Sequence, residues 1–140
     1  MPYTHKLRAA FAGTAFLATL LTGSPTWAAD RVYFEEPLDK AEVTSPVSVK
    51  FGLEGMHIAP LRDKTPGTGH HHLIIDGGPV PKGELIDVDE THIHYGTGLT
   101  SARIDLPPGP HKLTLQFGNG RHESYGPEMS STITVTVKAK

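Results

Sequence analysis

The chain has 140 residues, nine histidines, no cysteine and a formal charge of −2 with the histidines neutral. Without cysteine there are no disulfides, no thiolate zinc sites, no iron–sulfur clusters and no blue-copper centre. A slightly acidic chain with no basic patch argues against a nucleic-acid partner.

Residues 1–28 read as an export signal. Lys6 and Arg8 give a positive start, Ala9 to Leu21 is apolar, and Pro25, Thr26 and Ala28 form a small-residue cleavage site. Cleavage is expected after Ala28. The apolar run is shorter than the roughly 20 residues a membrane span needs, so no span is expected after cleavage. No cysteine follows the run to take a lipid anchor. A periplasmic or secreted protein is expected, with 29–140 as a single domain.

The mature chain carries no sustained helical period. Val32-Tyr33-Phe34 predicts a short strand closed by Pro37. Val43 to Leu53 alternates, with Val43, Val47, Val49, Phe51 and Leu53 on one side. Pro46 marks the start of that strand, because it cannot donate to a ladder. Residues 55–69 predict a long loop and His70 to Asp76 the next strand, ended by Gly77-Gly78-Pro79. Val80 to Glu90 is polar and predicts a solvated loop. Thr91 to Tyr95 predicts a strand or extended loop, and Ser101 to Leu106 a short strand. His111 to Phe117 places Leu113, Leu115 and Phe117 inward and Lys112, Thr114 and Gln116 outward. Gly118-Asn119-Gly120 is a hairpin-type turn. Ser131 to Lys138 closes with Ile133, Val135 and Val137 inward. This pattern predicts an all-β, immunoglobulin-like β-sandwich of about seven short antiparallel strands.

The chemistry concentrates in two stretches, Gly69-His70-His71-His72-Leu73 and Thr91-His92-Ile93-His94-Tyr95. On a strand, residues i and i+2 share a face. His70 and His72 therefore point one way and His71 the other, while His92 and His94 share a face. Side by side, the two strands would converge several imidazoles, which suit copper, zinc and nickel. His70, His72, His92 and His94 are the primary expected ligands. His71, His111, His122 and Met129 are secondary candidates, and His57 and Met56 sit in the long loop. Thioethers favour Cu(I) and imidazoles accept Cu(II). Asp76 and Glu123 are candidates for fixing a histidine tautomer.

Four motifs in order, Gly55-Met56 through Pro60, Gly67 to Leu73, His92 to Gly96 and Ser124 to Ser130, resemble a bacterial family of small secreted proteins of unknown function. The resemblance spans nearly all of 32–137 and implies no activity.

The leading expectation is a periplasmic protein that binds copper, with zinc the main rival, and buffers it or delivers it to a periplasmic metal-transfer partner. The alternatives are a copper redox enzyme of superoxide dismutase type and a metal-free adhesion or partner-binding module presenting Tyr95 and Tyr125. The sequence holds no Ser/His/Asp constellation and no phosphate-binding glycine loop: Gly67-Thr68-Gly69 leads into a strand, not a helix.

Overall fold

The computed structural model describes residues 28–139. The expected export signal, apart from Ala28, lies outside the described residues. Nine strands follow in chain order: β1 Arg31–Glu36, β2 Glu42–Val43, β3 Val47–Glu54, β4 His57–Ile58, β5 Thr68–Ile75, β6 His92–His94, β7 Ser101–Ile104, β8 Gly109–Gly118 and β9 Ser130–Val137. One 3-10 turn, Pro127–Met129, precedes β9. Among the described residues no helix is long and apolar enough to cross a membrane.

The strands form two sheets. The smaller is β1-β3-β7, antiparallel throughout. The larger runs β2-β9-β8-β5-β4, with β6 also paired to β5. It is mixed, because β2 runs parallel to β9 and β4 parallel to β5, and it curls strongly. The described residues are mostly β and form two sheets as expected, but with one sheet mixed and strongly curled they are not plainly an immunoglobulin-like sandwich of about seven antiparallel strands.

Two local features account for the difference. The alternating stretch Val43 to Leu53 is not one strand. It breaks before Pro46, which has no N–H to donate, so β2 joins the larger sheet and β3 the smaller. The stretch 55–69 is not all loop, since β4 pairs with the start of β5.

The core fills the space between the sheets. Val32 and Phe34 from β1, Val47, Val49 and Phe51 from β3, Leu73 from β5, and Leu113, Leu115 and Phe117 from β8 are all buried. Ile133, Val135 and Val137 of β9 complete it. Burying each such side chain is worth about 1.5–3 kcal/mol, and no cross-link shares that load.

The far face of the larger sheet is also covered, which alternation alone did not predict. Thr114 and Gln116, expected outward, are fully buried. Thr114 Oγ1 donates to the Gly77 carbonyl. Gln116 Nε2 donates to the carbonyls of Gly126 and Met129, and its Oε1 accepts from the Val80 N–H. The polar 80–90 stretch lies across this face. It inserts Ile86, which is 3% exposed, and bridges Leu85 to Glu123 in antiparallel pairing. This covered face is where the histidines collect.

Candidate metal centre

β5 is buried along almost its whole length because both sides of the larger sheet are covered. Its period of two sends His70 and His72 to the loop-covered face and His71 to the core. β6 pairs antiparallel with β5 and sets His94 directly opposite His72. Residues directly opposite in a ladder share a face, so His94 joins His70 and His72. His122 arrives from the loop after β8. All pairs among these four rings have centroids between 4.4 and 5.5 Å apart, with His94–His122 the shortest. One ligand nitrogen each from His70, His94 and His122 lies within 4.8 Å of the other two. His72 lies beside them, its ring tilted and 4.9 Å from His70 and 5.0 Å from His94 between centroids.

The His122 turn is a small hairpin of its own. Gly118 pairs with Ser124 across it, so the expected Gly-Asn-Gly turn does form, but it does not lead directly into β9. The Asn119 N–H donates to the Glu123 carbonyl and the His122 N–H to the Asn119 carbonyl, both at 2.9 Å. His122 sits at φ 65°, in the left-handed region. Such a conformation costs a residue with a side chain of order 1–3 kcal/mol and tends to occur where a site requires it. The Pro60–Pro66 segment ties the two loop-borne parts together. The Leu61 N–H donates to the carbonyl of Gly96, just beyond His94, and the Arg62 N–H to that of Gly120, just before His122.

Two glycines make room for the rings. A Cβ on Gly96 would run into the His94 imidazole. A Cβ on Gly118 would meet Ile86 at 2.7 Å and His72 Nε2 at 3.2 Å.

Burial holds His70, His72 and His94 neutral. Desolvation, aided by the neighbouring imidazoles, lowers His70 to about 4 and His72 to about 2. His94 is lowered by the same desolvation and by His122. Neutral imidazole is the ligating form. The only hydrogen bond within the set joins His94 Nε2 and His70 Nε2 at 3.0 Å. His70 Nδ1, both nitrogens of His72 and His122 Nε2 are buried without a partner. A buried polar atom without a partner costs about 1–3 kcal/mol, and several at one point favour an ion. Metal–nitrogen bonds of about 2.0–2.1 Å set the ligands of a tetrahedral ion roughly 3.4 Å apart. The triad, whose ligand nitrogens lie within 4.8 Å of one another, reaches that spacing with ring movements on the order of an ångström. The donors are all nitrogen, a set that suits zinc, copper and nickel over the oxygen-seeking magnesium and calcium.

The remaining candidates lie elsewhere. His92, expected as a primary ligand, sits opposite Ile74, two register positions along from the His72–His94 pair. Its Nδ1 turns to Asp89 at 2.9 Å, within a turn where Asp89 also accepts from the backbone of Thr91 and His92. His71 is in the core, its ring 5.2 Å from Phe51 and 5.3 Å from Phe117, with both nitrogens unpaired. Burial lowers it to about 4. His111 lies between Asp76 Oδ2 and the Pro107 carbonyl, each at 2.9 Å. Met129 is a core side chain, Met56 packs against the core, and His57 is exposed. Asp76 does hold a histidine ring, but that of His111, and Glu123 accepts from Asn119 Nδ2. The sequence marks Gly118 and Asn119 as turn residues ahead of His122 and Gly96 as the end of a motif, but assigns none of the three to the site. The space the two glycines leave for the rings and the bonds Asn119 makes around His122 depend on the tertiary structure.

A family described as a domain of unknown function (DUF4399) matches residues 49–138. The chain belongs to that family. The match takes in every residue of the cluster, from β5 through the His122 turn. No curated protein and no solved structure matches the chain.

Proposed function

We propose that this protein is an exported metal-binding protein that holds a copper ion on His70, His94 and His122, with His72 beside them, and buffers or delivers it. One observation carries this reading: three imidazole nitrogens from three separate chain segments gather within 4.8 Å at a buried point. Among the described residues no carboxylate joins them there, and Met56 and Met129 pack in or against the core. Copper is favoured over zinc because Cu(II) stands above its neighbours in affinity for nitrogen sites. Export rests on the Lys6/Arg8 start and the Ala9–Leu21 apolar run.

A second reading has a specific observation behind it. Three converging ligands, rather than four, leave a coordination position for water or substrate, as in catalytic metal sites. A copper redox enzyme of the superoxide dismutase kind would use such a position.

The test is titration of the untagged protein with Cu(II) and Zn(II), followed by calorimetry and, for copper, electron paramagnetic resonance. The expected result is one ion per chain, sub-micromolar affinity and nitrogen hyperfine structure. A large rise in thermal stability accompanies loading, about 4 kcal/mol at a thousandfold excess over Kd. Weak binding of several ions per chain, unchanged in His94→Ala, would sink the metal reading. Dismutation of superoxide by the loaded protein would favour the enzyme.

A further inference from the structure

We propose that Asn119 is the positioning residue of this centre, its side-chain amide holding His122 at the one point where the cluster depends on a loop. The inference rests on the metal reading above. His70, His72 and His94 belong to paired strands, and their places follow from ladder register. His122 has no ladder. Its place depends on a turn whose natural tendency is to relax, because φ 65° is unfavourable for a side chain branching from Cα.

Asn119 supplies the restraint. Its Oδ1 accepts from the N–H groups of Arg121 at 2.8 Å and Glu123 at 3.0 Å, the two residues flanking His122. Its Nδ2 donates to Glu123 Oε2 at 2.8 Å. Its backbone closes the same turn, accepting from His122 and donating to Glu123. Among the described residues, every side-chain hydrogen bond to the backbone of this turn comes from Asn119. The turn is braced from outside by backbone bonds alone, Arg62 to Gly120 and Ile86 to His122. These locate the turn as a whole. The conformation of His122 within it is set by the pair of bonds to Oδ1.

This is the arrangement in which an outer partner fixes a ligand's orientation, and losing such a partner typically costs 10- to 100-fold in metal affinity. Asn119 acts on the ion only through His122, so its effect vanishes once His122 is gone.

The experiment is a double-mutant cycle on the untagged protein, using Cu(II) as probe and reading affinity and the paramagnetic resonance spectrum. Asn119→Ala is expected to weaken binding about 10- to 100-fold and to give the spectrum of His122→Ala. The double variant is expected to match His122→Ala alone. Asn119→Asp in a Glu123→Gln background keeps the Oδ1 acceptor and gives its second oxygen a donor in place of a carboxylate, so it is expected to recover most of the lost affinity. If Asn119→Ala does not fold, Asn119→Ser, whose shorter side chain cannot reach both N–H groups, takes its place with the same expected loss. Wild-type affinity and spectrum in Asn119→Ala would overturn the inference. So would a further loss when Asn119→Ala is added to His122→Ala, because Asn119 would then act by another route. If wild type binds no Cu(II), the metal reading falls and this inference with it. If wild type binds and Asn119→Ala is indistinguishable, only this inference falls.

Discussion

His94 Nε2 lies 3.0 Å from His70 Nε2, across two strands that pair in antiparallel register. Both rings are neutral at pH 7, so one donates and the other accepts, and the shared proton occupies the place where both lone pairs would meet an ion. Metal binding at this point therefore requires the donating ring to carry its proton on Nδ1 instead, a change of tautomer with no net release of a proton. The two nitrogens are held by backbone ladder bonds, which makes this half of the site preformed.

The position of His92 makes the sharpest comparison. His92 and His94 are two residues apart and share a face, yet only His94 reaches the cluster. His94→Ala is expected to lower Cu(II) affinity by about 100-fold or more, beyond the usual loss for an outer partner. His92→Ala is expected to leave it unchanged. Equal losses in a paired titration of the two variants would place His92 in the site after all.

Acid should destabilise the metal-free protein. The folded pKa values of His70 and His71, about 4, and of His72, about 2, lie below the ordinary 6.5. Below 6.5 the unfolded chain binds protons that the folded one refuses, so stability is lost as pH falls from about 6.5 toward 4. Each group can contribute at most about 1.4 kcal/mol per pH unit. Thermal melts of the metal-free protein between pH 7.5 and 4.5 check this. A melting temperature that is flat or rises on acidification would mean that these rings are not buried and neutral.

Gly96→Ala tests whether the ring pocket is filled. The new methyl group would occupy the space of the His94 imidazole. The ring must leave its present place, where its Nε2 meets that of His70, so metal affinity should fall at least roughly tenfold, while the fold loses about 1–3 kcal/mol from overpacking. Calorimetry and a urea titration read the two effects separately. Undiminished affinity would show that His94 is free to reorient.

His111 should behave in the opposite sense to the cluster. Burial works against its charge, but the Asp76 carboxylate and the Pro107 carbonyl outweigh that and raise its pKa. Its contribution to stability is complete below the ordinary value near 6.5 and is lost as pH rises through the raised one. Asp76→Asn should lower the His111 pKa seen by nuclear magnetic resonance and cost about 1 kcal/mol at pH 6, since solvent screens the exposed carboxylate. Copper binding should be unaffected. A matching drop in metal affinity would tie His111 to the site.

Much of the fold could be read from alternation. Val47, Val49 and Phe51, Leu113, Leu115 and Phe117, and Ile133, Val135 and Val137 were expected inward and are buried. The split of Val43 from Val47 into different sheets could not be read, because alternation continues through the break at Ser45-Pro46. The burial of Thr114 and Gln116 was equally hidden. Their polar side chains meet backbone groups of the 77–80 and 126–129 segments, and no local pattern announces such distant partners.

The sequence by itself determined that the chain would be β-rich, that it would lack thiolate chemistry, and that His70 and His72 would share a face opposite His71. Those properties follow from residue type and from the two-residue period of a strand, both local. Only the tertiary structure decided that His94 and not His92 meets them, that His122 completes the set, and that loops seal the face on which they lie. Those outcomes depend on ladder register, on a left-handed turn residue and on chain segments far apart in sequence, which local spacing does not encode.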